Sequence, residues 1–162
     1  MMKEKAIVVD IDGCLLNVDK LNKFMGSKNF KDLEVWDKFH THANNLEYVS
    51  EVEGVYNLVN AYSHLGFKII VLTSRRDFLC SGTLDLLLSG KIKLDNMTML
   101  VMRSLSQEGI PSHIYKREEM LKLSKLYDIQ LCIDDEEDNI NMFKSLGYNT
   151  LKIGAEERNG KN

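Results

Sequence analysis

Apolar residues fall along this chain in two alternating rhythms. Short unbroken runs, KAIVVDI (5–11), FKIIVLTS (67–74), MTMLVM (97–102), IQLCIDD (129–135) and NTLKI (149–153), have the character of strands buried on both faces. Between them apolar residues recur every three or four positions. Val52, Val55, Leu58, Val59, Tyr62 and Leu65 define one helical face over 51–65, and Gly66 is placed to end it. A second helix is predicted over 77–89, with Leu84, Leu87 and Leu88 inward and Gly90 as its stop. Two more are predicted over 116–128, after Pro111, and over 136–147, closed by Gly147. Strands alternating with helices, the strands continuously apolar, predict a parallel sheet covered on both faces. The fold class is therefore α/β, a three-layer Rossmann-like parallel sheet. The 162 residues suit a single domain, with the polar stretch 154–162 as a frayed tail.

One stretch breaks the alternation. Residues 14–50 hold Phe24, Phe30, Trp36, Phe39, His40 and His42 among many polar residues. A structureless connection of that length is unusual in a compact domain. It is expected to be a small flap or cap inserted after the first strand, with a short helix near 31–43, lying over the strand ends. Trp36 and Phe39 are expected in its core, and His40 and His42 on its surface.

Three of the strands end in polar groups: Asp10 and Asp12, then Thr73, Ser74 and Arg75, then Asp134 and Asp135. In open parallel sheets ligands bind beyond the C-terminal strand ends. If these strands are neighbours, the groups converge on one edge. Clustered carboxylates repel one another and call for a cation; oxygen ligands without His or Cys suit a hard ion, and Mg²⁺ fits best. Thr73 or Ser74 can donate to a phosphoryl oxygen, and Lys116 and Arg75 can neutralise phosphate charge. One aspartate can then attack phosphorus while the other, two residues on, handles the proton.

Composition narrows this little further. The net charge of −3 gives no general attraction to nucleic acid. Cys14, Cys80 and Cys132 are odd in number and widely spaced, which predicts reduced thiols filling the core of a cytoplasmic chain. No apolar run approaches the roughly 20 residues of a membrane span, and AIVV is too short for a signal-peptide core.

DIDGC, VLTSR, Lys116 and IDDEEDN, in that order, resemble the haloacid dehalogenase (HAD) superfamily of phosphotransferases. The resemblance implies Asp10 as nucleophile and Asp12 as general acid and base, the latter typical of the phosphatase branch. It implies phosphate contacts from Thr73 and Lys116. Asp134 would hold Mg²⁺ with the Asp10 side chain and the Asp12 backbone carbonyl, supported by Asp135. VLTSR, then VMRS, then DKFH in the insertion and the segment from Asp134 to Ile153 are similar to the 3′-phosphatase domain of phage-type polynucleotide kinase-phosphatases. That likeness implies Arg75 and Arg103 on the substrate phosphate, and a nucleotide or nucleic-acid 3′-end phosphate as substrate. A small-metabolite or free-nucleotide phosphatase is the alternative. A phosphoacceptor signalling module is the non-enzymatic one, disfavoured because such modules carry their acid pair first and their acceptor mid-chain.

Overall fold

The computed structural model describes residues 2–25, 33–89, 94 and 96–154, without the side chains of Leu33 and Trp36. Phe30, Gly90, the Trp36 side chain and nearly all of the expected tail lie outside the described residues. Five strands form a parallel sheet: β1 (Glu4–Val9), β4 (Lys68–Arg76), β5 (Met97–Arg103), β6 (Tyr127–Asp134) and β7 (Thr150–Lys152). Their spatial order is β5-β4-β1-β6-β7, so β1 lies at the centre between β4 and β6. This is the α/β Rossmann-like arrangement expected from the strand runs.

Alternation along β1 divides the core between the two faces. Ile7 and Val9 join Ile69, Val71 and Ile133 against Val55, Tyr56 and Val59 of α3 (Glu53–His64) and Leu86 and Leu87 of α4 (Cys80–Ser89). Ala6 and Val8 join Ile70, Leu72 and Cys132 under Tyr115, Met120 and Leu123 of α5 (Ser112–Leu126) and Met142 and Phe143 of α6 (Glu137–Ser145). These are the three layers. Gly66 ends α3 at φ +86°, where its amide reaches the Ser63 carbonyl at 2.9 Å.

The described part of the insertion forms regular elements. It contains β2 (Leu16–Asn17), α1 (Asp19–Met25), α2 (Leu33–Ala43) and β3 (Ser50–Glu51), with β2 and β3 paired antiparallel. Leu21 and Met25 of α1 and Phe39 and Ala43 of α2 enter the main core. The α2 helix matches the expectation near 31–43; α1 lacks a clear period and was not anticipated.

Two local expectations are corrected. The segment 77–89 opens as a 3₁₀ turn (Asp77–Leu79), and the buried face of α4 is Thr83, Leu86 and Leu87, while Leu88 is exposed. The α5 helix begins at Ser112, directly after Pro111, so Lys116 sits in its second turn and does not open it. No helix among the described residues is long and apolar enough to cross a membrane.

Candidate active site

The centre of the sheet delivers the acids. At the end of β1 the Asp10 amide donates to the Ile133 carbonyl at 3.0 Å, which ties the exits of β1 and β6 together. The chain then folds back on itself. Leu16 N–H donates to Ile11 O and Gly13 N–H to Leu16 O, both at 2.8 Å, and this turn carries Asp12 beside Asp10. Gly13 has φ +84°, and a Cβ built there would come 2.0 Å from Asp135 Oδ2. Glycine is thus required both for the backbone conformation and for the approach of that carboxylate.

Lys116 reaches the same point from α5. Its Nζ lies 2.7 Å from Asp134 Oδ2 and 3.0 Å from Asp10 Oδ1, and the side chain is buried. Burial works against the ammonium, but Asp10 and Asp134 outweigh it and push the Lys116 pKa up, so the lysine is charged. Asp134 Oδ1 accepts from Asn139 Nδ2 at 3.0 Å and from the Glu136 amide at 3.1 Å. With Lys116 on its other oxygen, Asp134 is fully engaged. Asp135, in contrast, clusters with Asp10 and Cys14, each offering a ligand atom within 4.8 Å of the others. The expectation gave Asp134 the direct metal contact with Asp135 in support; here Asp134 is bound by Lys116 while Asp135 lies with Asp10. Successive residues at a strand end point opposite ways, and here the first of the pair is taken by the lysine.

Arg75 also departs from its expected place. It is 0% exposed and turned inward: Nη2 and Nε donate to the two oxygens of Asp12, each at 2.7 Å. Its Nη1 donates to Asn44 Oδ1 at 2.5 Å and Thr83 Oγ1 at 3.3 Å, so it ties the end of the insertion to α4. The Arg75 guanidinium therefore has Asp12 as its partner. Burial raises the Asp12 pKa, but Arg75, helped by His40 and Lys116, more than offsets this and holds the carboxyl below its usual range. His40, expected on the surface, is 5% exposed with Nε2 4.0 Å from Asp12 Oδ2. Burial lowers its pKa to about 4, with Arg75 and Arg103 adding to the shift against Asp12, so His40 is neutral at pH 7. His42 is half-buried and packs edge-on to Phe24 and Tyr48.

Of the remaining expected residues, Ser74 and Arg103 border the cleft beside the site, and Thr73 lies buried behind them. Thr73 is buried at the β4 exit, where its Oγ1 accepts from the Arg75 amide at 3.2 Å. Ser74 Oγ lies 2.9 Å from Ser112 Oγ and 3.4 Å from Arg103 Nη2. Arg103 donates to the carbonyls of Gln107 and Ile110 and lies over the Tyr115 ring, 4.8 Å from its centroid. Ser74, Arg103 and Ser112 border a cleft of about 720 Å³. Across it Arg76, absent from the expected set, bridges Asp37 of α2 at 2.9 Å and Glu108 at 3.1 Å. Its only sequence signal was the doubled arginine after the β4 run.

Charge in the cluster is unbalanced. Asp10, Asp12, Asp134 and Asp135 face two cations, Lys116 and Arg75. The excess appears where it is least compensated. Burial pushes Asp10 well up, partly countered by Lys116 and increased by Asp134, Asp12 and Asp135. Burial together with Asp134 and Glu136 raises Asp135 to about 6. Burial and the nearby carboxylates push the Cys14 thiol up. Two uncompensated charges and oxygen donors fit one hard divalent ion.

Comparison with known proteins bears on the family and the fold. The family model described as HAD superfamily, subfamily IIIB (acid phosphatase) matches residues 2–154. No curated protein sequence matches the chain. Among solved structures, a protein of the Pnkp1/Rnl/Hen1 complex superposes with TM-score 0.69 at 18% identity, over 93% of this chain and 46% of that one. The chain thus spans under half the length of that relative. The class C acid phosphatase of Bacillus anthracis, with tungstate bound, superposes with TM-score 0.66 at 16% identity, over 94% of this chain and 67% of that one. An HAD family enzyme from Bacteroides thetaiotaomicron, complexed with magnesium and inorganic phosphate, gives TM-score 0.59 at 14% identity, over 98% and 100%. These likenesses show the shared fold; the family match, spanning nearly the whole chain, makes it a member of the HAD superfamily, in the acid phosphatase subfamily IIIB.

Proposed function

We propose that this chain is a Mg²⁺-dependent phosphomonoesterase acting through an aspartyl-phosphate on Asp10, with a nucleotide or nucleic-acid 3′-end phosphate as substrate. The observation that carries this reading is the setting of Asp10, a buried carboxylate between Lys116 and Asp135 in a cluster short of two positive charges. Mg²⁺ held by Asp10, Asp135 and the Asp12 backbone carbonyl would supply those charges and polarise the phosphoryl oxygens.

The residues then divide the work. Lys116, fixed by Asp134, holds a phosphoryl oxygen beside Asp10, and Thr73 donates a further hydrogen bond from the β4 exit. A carboxylate oxygen of Asp10 attacks phosphorus as the ester P–O bond breaks. Asp12, which Arg75 holds ionised at rest and which must therefore take up a proton before the cycle begins, gives the departing oxygen that proton. In the second step Asp12 takes a proton from water, the water oxygen attacks phosphorus, and the bond from the Asp10 oxygen to phosphorus breaks, releasing inorganic phosphate and leaving Asp10 ionised and Asp12 protonated again. Arg75 keeps Asp12 aimed throughout, and Ser74 and Arg103 meet the substrate at the cleft.

The fold shared with a protein of an RNA repair complex supports the nucleic-acid side of this reading. The carboxylates lining the cleft favour a free nucleotide. The reduced thiols suit a cytoplasmic setting. Hydrolysis of an aryl phosphate with Mg²⁺, with chelator and with the Asp10→Asn variant tests the reaction. Turnover that needs both the ion and Asp10 is expected; turnover indifferent to either contradicts it.

A further inference from the structure

Arg75 grips Asp12, and the guanidinium is itself held. Every N–H donor it has meets an acceptor. Nε and Nη2 donate to the two oxygens of Asp12, and Nη2 also faces the Ala43 carbonyl at 3.5 Å. Nη1 donates to Asn44 Oδ1 at 2.5 Å and to Thr83 Oγ1 at 3.3 Å. The side chain is 0% exposed, so these neighbours, and not solvent, set its rotation.

Asn44 follows α2 at the end of the insertion, and it is seated on α4. Its Oδ1 also accepts from Thr83 Oγ1 at 3.4 Å. A Cβ built on Gly82 would lie 2.9 Å from Asn44 Nδ2. Glycine is a poor helix former, and Gly82 is not among the glycines with positive φ, so the backbone of α4 does not call for it. What its missing side chain provides is the space that the Asn44 amide fills.

Without Asn44 Oδ1 an enclosed cationic donor would lose its nearest acceptor on Nη1. An unmet buried donor is costly, so the guanidinium would turn toward another partner and its two-pronged hold on Asp12 would loosen. Resting on the phosphatase reading, we infer that Asn44 is a positioning residue for the proton transfer: it fixes Arg75, which fixes Asp12, and Gly82 keeps open the space from which it acts. The insertion thereby contributes to the chemistry without touching the phosphoryl group.

The test measures kcat and KM for an alkyl phosphate and an activated aryl phosphate, with the wild type, Asp12→Asn, Asn44→Ala, Gly82→Ala and the Asn44→Ala/Gly82→Ala double variant. Asn44→Ala is expected to lower kcat about tenfold for the alkyl ester and less for the aryl ester, with KM little changed. Gly82→Ala is expected to do the same by displacing the Asn44 amide, while its thermal unfolding temperature is unchanged or raised, because alanine suits a helix better. The double variant should lose no more than Asn44→Ala alone, since Gly82→Ala acts through Asn44. If Asn44→Ala does not fold, Gly82→Ala carries the comparison. With Asp12→Asn slowing the alkyl ester selectively, equal slowing of both esters by the Asn44 and Gly82 variants, an effect on KM alone, an unchanged kcat or additive losses overturns the inference alone. Asp12→Asn slowing both esters alike overturns the part of Asp12 in the phosphatase reading and the inference with it. A wild type that hydrolyses neither ester overturns the phosphatase reading itself.

Discussion

The Asp135 carboxylate stands where the Gly13 side chain would be: a Cβ on residue 13 would lie 2.0 Å from Asp135 Oδ2. The turn after the central strand and the acid after its neighbour are thereby fitted to each other, and the gap between them is the proposed ion site. Gly13→Ala meets both the clash and the φ of +84°. It is expected to lower stability by about 1–3 kcal/mol and to weaken divalent-ion binding. Denaturant unfolding and calorimetric Mg²⁺ titration check this; unchanged values in both contradict it.

Arg75 is fully enclosed and grips Asp12, so its loss should act through Asp12. Arg75→Lys keeps a charge but loses the two-pronged contact. The expected result is a fall in kcat with KM changed little, alongside reduced stability. A KM effect without a kcat effect would instead place Arg75 on the substrate phosphate.

The proton on the leaving group comes from Asp12 in this account. Asp12→Asn is expected to slow alkyl phosphates more than an activated aryl phosphate, which departs without protonation. The ratio of the two rates, variant against wild type, is the readout. Equal slowing of both esters would remove Asp12 from the proton transfer.

Tyr56 supplies a test remote from the chemistry. Its hydroxyl is buried with no hydrogen-bond partner among the described residues, and burial, with Glu51 adding, raises its pKa above the ordinary value near 10. The folded chain keeps this proton after the unfolded chain has lost it. Its stabilising contribution is therefore complete below pH about 10 and lost as the pH rises further. Tyr56→Phe is expected to leave neutral-pH stability unchanged or raised by up to about 1 kcal/mol, and to reduce the alkaline loss. Thermal unfolding as a function of pH measures both.

The strands and the convergence of acids were legible because they depend on local pattern. Short apolar runs rich in β-branched residues favour buried strands, and parallel neighbours place their ends on one edge, so Asp10, Asp12, Thr73 and the Asp134–Asp135 pair could be expected at one edge from spacing. Where each side chain turns was not legible. Arg75 follows Thr73 and Ser74 like a phosphate ligand, yet it faces inward because Asp12, Asn44 and Thr83 surround it, and two of these come from distant parts of the chain. Asp134 and Asp135 are interchangeable in sequence; only the structure shows that Lys116 on α5 pairs with Asp134. His40 reads as a surface residue until α2 is laid over the strand ends, although Phe39, His40 and Ala43 do share a helical face that could have marked it as buried.

The measurement closest to the central claim is recovery of the covalent intermediate. Protein mixed with substrate and Mg²⁺, acid-quenched within a turnover and digested, should carry one phosphoryl group, labile to hydroxylamine, on the peptide containing Asp10. The Asp10→Asn variant should carry none. A phosphoryl group on another residue, or rapid turnover with no trapped species under any quench, would contradict the account.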